Sequence, residues 1–180
     1  MAGPGNVYSD PQRSGGGQGH LQVTHAAGLL FFLTGLKPLT VLALMDNLDV
    51  QVDVVDAMIA RLENGALASL GSTGTLRGGD PEKLILQIRA DQGWLDIDFT
   101  AGVGKIYHPD RSEEIFPPLL TADQIYPAHA PAHNLVDIIL GRAANGSPAE
   151  SGRHTVELLD AAYRSAAHNG QPVSIESLYG

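Results

Sequence analysis

The residues best suited to chemistry in this sequence are its histidines and the polar groups set one helical turn from them. His25 lies inside a strongly apolar stretch, His20 to Thr34, with Gln22 before it and Gln18 one turn earlier still. That spacing puts two amides and an imidazole on a similar side of a helix. An imidazole changes charge near neutral pH, so His25 reads either as a proton donor or acceptor at the bottom of a pocket or as a core histidine bonded to a carbonyl. Arg13 stands just before the run Gly15-Gly16-Gly17-Gln18-Gly19. A tight glycine turn ahead of a helix offers backbone N–H groups to an anionic or hydroxylated ligand, with the guanidinium alongside. His129 and His133 have the four-residue spacing of a helical metal pair, and Asp137 follows one turn later. Pro131 between them places the first before the helix, the acidic neighbour of a zincin motif is missing, and no third ligand presents itself. The pair reads as pocket-lining or capping, with no metal.

Other motifs carry less. The glycine run lacks the glycine that a dinucleotide fingerprint needs at its sixth position, where His20 stands, and no strand precedes it. The Gly-Lys-Ser/Thr of a Walker loop is also missing. Gly71-Ser72-Thr73-Gly74 is not a nucleophile elbow, which requires glycines two residues to either side of the serine. Asp96 and Asp98 share one face of a strand, as solvated carboxylates commonly do.

The composition bounds what these groups can serve. The 180 residues suit one domain. Aspartate plus glutamate number 20 against 11 lysines and arginines, a net charge of −9 with no basic patch, which argues against nucleic acid as a partner. The absence of cysteine excludes disulfides, thiolate metal sites and cysteine nucleophiles and fits a reducing compartment. The most apolar window, Ala26 to Met45, is broken by Thr34, Gly35, Lys37 and Pro38, so it reads as a buried helix followed by a strand and not as a membrane span. Nothing at the N-terminus resembles a targeting signal. The expectation is a cytoplasmic, soluble protein without a membrane partner.

The elements that must position the candidates follow from periodicity. Residues 1–19 read as a glycine-rich arm or loop that buries nothing, and 20–180 as a single domain. His20 to Thr34 is apolar around most of its circumference, the mark of a helix buried on several sides, with Gly35 as its C-cap. Thr40–Met45 is a strand. Val50, Val52 and Val54 open a second, with a bulge near Val55, that runs to the Asn64-Gly65 hairpin turn and returns as Ala66–Thr75. Alternating residues from Leu84 to Ala90 and from Leu95 to Phe99, with shorter runs at Lys105–His108 and Glu113–Phe116, complete the strands. A helix follows from Pro131 to about Leu140. Another begins at the capping-box pattern Ser147-Pro148-Ala149-Glu150 and ends at Asn169-Gly170, with Pro172 to Ile175 as an edge strand. The order gives an α+β fold: a predominantly antiparallel open sheet with helices packed on one face.

Several of these stretches together resemble a known family. Arg13-Ser14-Gly15-Gly16-Gly17, His25 and Leu33-Thr34-Gly35 come first, followed by Glu63-Asn64-Gly65-Ala66. The run Glu157-Leu158-Leu159-Asp160-Ala161-Ala162-Tyr163-Arg164-Ser165-Ala166 and Gly170-Gln171-Pro172-Val173 close the set. In order and spacing they resemble the C-terminal domain of the Gfo/Idh/MocA oxidoreductases, the glucose–fructose oxidoreductase and inositol dehydrogenase type. The resemblance implies the substrate-binding and oligomerisation half of an enzyme that passes hydride between NAD or NADP and a hydroxyl or carbonyl carbon of a sugar or polyol. The cofactor and the family's catalytic lysine belong to a dinucleotide-binding domain outside this sequence, so no turnover is expected from this chain alone. His25 takes the catalytic position, and Arg13, Gln18, Gln22, His129 and His133 are the substrate contacts. Leu21 and Gly28 stand where the family's sugar dehydrogenases carry aspartates. The open sheet implies a homo-oligomer, a dimer or tetramer. The alternative is a free-standing module that binds a small polar ligand or assembles without catalysis.

Overall fold

The computed structural model describes residues 5–77, 79–119 and 121–179. In chain order the elements are α1 (Pro11–Ser14), α2 (Thr24–Thr34), β1 (Pro38–Asp46), β2 (Val55–Leu62), β3 (Leu67–Thr73), β4 (Ile85–Ala90), β5 (Gly93–Asp98) and β6 (Val103–Tyr107). Then come β7 (Glu113–Ile115), α3 (Ala122–Ile125), α4 (Ala130–Ile139), α5 (Ala149–Ala167) and β8 (Val173–Ser174). The fold is α+β with antiparallel strands, and these divide between two sheets of four, ordered β3-β2-β1-β8 and β4-β5-β6-β7. The chain separates accordingly into two compact units, Met1–Asp80 with Ser147–Gly180, and Pro81–Gly146. Among the described residues no helix is long and apolar enough to cross a membrane.

In the first unit, alternation along β2 turns Met58, Ala60 and Leu62 toward the helices, where they meet Val41 and Ala43 of β1 and Leu70 of β3. Ala27, Leu30 and Phe31 of α2 and Leu158, Leu159, Ala161 and Ala162 of α5 close this core. Ser165 ties α5 to the sheet: its Oγ accepts from the Ala43 amide at 2.9 Å and donates to the Gln171 carbonyl at 2.7 Å. The hairpin expected at Asn64-Gly65 is present, with Gly65 at φ +87° and Asn64 Oδ1 accepting from the Ala66 amide. Gly35, at φ +66°, ends α2 in the left-handed conformation that favours glycine.

Four local expectations differ from the structure. The segment at Val50–Val54 is not a strand; Val52, Asp53 and Val54 are consecutively buried because Asp53 bonds to the glycine turn and not to a sheet neighbour. The glycine-rich stretch is packed in and is not a free arm, with Ser9 and residues 16–19 buried. Helix α5 begins at Ala149 with Pro148 as its N-cap, one residue later than the capping-box pattern sets it, and Glu150 places a carboxylate in the first turn. Helix α2 is covered on one side only, and Phe32 and Leu33 are exposed.

The second unit is built on hairpins. One sheet face carries a row of paired polar and aromatic groups. Arg89 lies 4.5 Å over the Trp94 ring, Trp94 packs on Tyr107, and Lys83 donates to Asp98 at 2.6 Å. That bond, together with those from Thr100 and the Ala101 amide, holds the Asp98 carboxyl well below the usual range. The opposite face brings Leu86, Ile88, Leu95, Ile97 and Ile106 into a half-buried layer around Gly104, whose position lies against Phe116. Pro131 sits in the first turn of α4, as expected, and Leu140 caps its end.

Candidate functional site

The glycine-rich turn is held by one carboxylate. Asp53, 4 % exposed, lies in the loop before β2, and its Oδ1 accepts from the Gly17 amide at 2.8 Å and from the Tyr163 hydroxyl of α5 at 2.7 Å. Its Oδ2 accepts from the Gly19 amide at 2.6 Å, and its carbonyl accepts from the Gln18 amide at 2.9 Å. Glycine is required here because the backbones touch: a Cβ on Gly17 would sit 2.0 Å from the Asp53 carbonyl oxygen, and one on Gly19 would sit 2.8 Å from the Tyr163 hydroxyl. The His20 ring stacks on Tyr163 at 4.8 Å. Burial, then the hydrogen bond to Asp53, then its negative charge push the Tyr163 phenol far up, so it remains a donor. Asp56, one residue into β2, is buried beside this cluster.

From this anchor a π-helical turn, Gly19–Val23, leads directly into α2 and fixes where the expected site residues fall. Gln18 is buried and already engaged, its Nε2 donating to Ser72 Oγ at 3.0 Å. Gln22 and His25 are exposed. His25 is therefore neither a core histidine nor at the bottom of a pocket within this chain. It stands on the uncovered face of α2, in line with Leu29, Phe32 and Leu33. Arg13 is exposed at the end of α1. The first unit thus brings Arg13, Gln18, Gln22 and His25 onto one continuous segment and divides them between a buried anchor and an open surface. His129 and His133 belong to the second unit, where His129 caps α4 and the two rings lie 5.1 Å apart, tilted by 57°. Among the described residues, no group of three or more His, Cys, Asp or Glu side chains is placed to hold a metal ion.

A third buried carboxylate, Glu157 of α5, was not singled out from the sequence. His154 Nδ1 lies 2.9 Å from its Oε2, while Arg153 and the Tyr179 hydroxyl both donate to Oε1. Burial pushes the Glu157 carboxyl up, but the hydrogen bonds from His154 and Tyr179 and the Arg153 charge outweigh it and hold the group below its usual range. A shallow cleft of about 370 Å³ opens beside it between Arg153, Asp160, Leu178 and Tyr179, with none of the sequence-derived site residues in its walls. Asp53, Asp56 and Tyr163 were likewise missed. The one signal for Asp53 was a charge between two valines in an otherwise apolar alternation.

No protein-family profile matches the sequence, and no curated protein matches it. Solved structures do match in fold. Levoglucosan dehydrogenase in complex with NADH is 17 % identical over 96 % of this chain and 54 % of its own, with a TM-score of 0.82. An oxidoreductase domain protein from Kribbella flavida is 19 % identical over 96 % and 54 %, with a TM-score of 0.79. GenD2 from gentamicin A biosynthesis, in complex with NAD, is 23 % identical over 96 % and 52 %, with a TM-score of 0.75. The chain spans about half the length of these proteins. Over that half it shares their fold, as the resemblance of its glycine turn, hairpin and closing helix to the Gfo/Idh/MocA oxidoreductases led us to expect.

Proposed function

We propose that this chain is the substrate-binding and oligomerisation part of an NAD(P)-dependent oxidoreductase of the Gfo/Idh/MocA family, acting on a hydroxyl or carbonyl carbon of a sugar or polyol. The observation that carries this reading is the uncovered face of α2. His25 stands there beside Leu29, Phe32 and Leu33, and Phe32 is 57 % exposed. A titratable imidazole on an apolar helix face without cover calls for a second body over it. A dinucleotide-binding domain fits that role, because the nicotinamide and the substrate carbon would then meet beside His25.

In this arrangement the missing domain binds NAD or NADP, which supplies the hydride acceptor or donor. This chain's own residues handle the substrate. The exposed imidazole of His25 exchanges a proton with the reacting oxygen, the Gln22 amide and Arg13 orient neighbouring hydroxyls, and Asp53 keeps the turn that carries them in place. Gln18 acts through the anchor. The outer face of the first sheet carries the assembly role. Leu42 lies opposite Ile59, and Leu44, Ile59 and Leu67 are 63, 51 and 67 % exposed, a largely apolar face, with Ser69 and Arg61 among them, suited to a second copy. The proposal includes a cytoplasmic location, where NAD(P) is available.

The test uses the protein joined to the dinucleotide-binding domain that the proposal places ahead of it. His25→Ala lowers kcat/KM for a sugar or polyol such as levoglucosan by about 10²–10⁴-fold without changing thermal stability, since no described residue bonds the ring. Unchanged kcat/KM removes His25 from the chemistry. Stoichiometric NAD(P)H binding by the chain alone contradicts the assignment of the cofactor to another domain.

A further inference from the structure

Asp53 and Asp56 lie three residues apart at the start of β2, both buried, and only one of them is supplied with donors. A carboxylate offers about four lone-pair sites. Gly17, Gly19 and Tyr163 fill three on Asp53 and leave one on Oδ2. Asp56 is 3 % exposed, and neither of its oxygens meets a donor among the described residues. Across the sheet it faces Ser72 of β3, whose hydroxyl accepts from Gln18, and Met45 of β1. The titratable groups around it are Asp53, whose charge and side chain both act on it, and Tyr163 of α5, with the His20 ring stacked behind the latter. Two bare carboxylates this close in a dry interior repel. A single proton on Asp56 turns the repulsion into an O–H···O bond that fills the last site on Asp53 and satisfies Asp56 as well.

We propose that Asp53 and Asp56 share one proton, and that this proton is the pin that locks the Gly15–Gly19 turn, and with it the start of the helix bearing His25, to β2 and α5. When the proton leaves, Asp53 is turned against Asp56 and loosens its hold on the Gly17 and Gly19 amides. Burial first, then the charge of Asp53 and the bond with it, push the Asp56 carboxyl up to about 7. The native chain therefore keeps a proton that an ordinary aspartate in the unfolded chain gives up near pH 4. Linkage fixes the sign: the unfolding equilibrium constant rises about tenfold per pH unit between about pH 4 and 7 and levels off above. The turn itself is released as pH climbs through neutrality. The pin stands independently of the oxidoreductase reading; its consequence for His25 alone depends on that reading.

Carbon-13 detection of the side-chain carboxyls in the full chain reads the shared proton without any substitution. Asp56 is expected to titrate near neutral pH, with hydrogen-exchange protection of the Gly17 and Gly19 amides falling at least about tenfold across the same step, one decade per unit of proton linkage. Asp56→Asn carries a neutral amide that donates to Asp53 at every pH, so the variant keeps that protection above neutrality and loses the fall in thermal midpoint between about pH 4 and 7. Titration of Asp56 near pH 4 with the surface aspartates overturns the shared proton. Titration near neutrality with unchanged amide protection overturns the pin. Should Asp56→Asn fail to fold, both of those wild-type outcomes still decide the matter.

Discussion

Replacing Gly17 by alanine places a methyl carbon 2.0 Å from the Asp53 carbonyl oxygen and 2.8 Å from its amide nitrogen. Both are backbone atoms, so no side-chain rotation relieves the overlap, and ordinary contact begins at 3.4 Å. The turn must retreat by about 1.4 Å, and that movement spoils three hydrogen bonds: Gln18 amide to Asp53 carbonyl at 2.9 Å, and the Gly17 and Gly19 amides to the carboxylate at 2.8 and 2.6 Å. At about 1.5–3 kcal/mol for each bond to a charged group and about 1 kcal/mol for the neutral one, complete loss costs about 4–7 kcal/mol. Relaxation recovers part of this, so we expect at least about 3 kcal/mol, a large share of the roughly 5–15 kcal/mol that holds a domain together. Two neighbours serve as controls. Gly15→Ala meets nothing within 4 Å but adopts φ +80°, and costs about 1–2 kcal/mol of backbone strain. Gly152→Ala, in the first turn of α5 with open space around it, stabilises by about 0.5–1 kcal/mol. Urea unfolding followed by circular dichroism, with a common slope, ranks the three. If Gly17→Ala is no worse than Gly15→Ala, the clasp does not hold the turn as described.

Three further substitutions probe other parts of the fold. Ser165→Ala leaves the Ala43 amide and the Gln171 carbonyl without their partner in a side chain that is 0 % exposed, and lowers stability by about 1–3 kcal/mol in urea titrations. The Glu157 carboxyl is held below its usual range, so the stability it contributes is present above its unfolded pKa and lost as pH falls; Glu157→Gln is less stable at neutral pH and shows a weaker acid dependence of its thermal midpoint. Leu44→Glu, on the outer sheet face, converts an oligomer to a monomer by sedimentation velocity while leaving the thermal midpoint of the folded unit in place. A wild-type chain that sediments as a monomer rejects that assembly face.

The parts of the fold legible in the sequence were those fixed within a few residues. Gly35 after an apolar helix, Asn64-Gly65 between alternating runs, and the alternation of Leu95 and Ile97 with Asp96 and Asp98 each specify local backbone, and each was found where expected. The Asp53 clasp was not legible. It joins Gly17 to a residue 36 positions on and Tyr163 to one 110 positions back, and nothing local marks those pairings. The same long-range bonds explain why Val50–Val54 fails as a strand although its alternation is regular. For His25, periodicity showed an apolar helix but not which side would be covered. The core takes Ala27, Leu30 and Phe31, leaving the histidine side open.

We propose that this chain works as one half of a dinucleotide-dependent enzyme. The most direct check is to read the genomic frame upstream of the Met1 codon. The expected result is an in-frame domain of roughly 100–150 residues that opens with a strand followed by Gly-x-Gly-x-x-Gly. A stop codon immediately upstream, with no such domain joined to the chain, contradicts it.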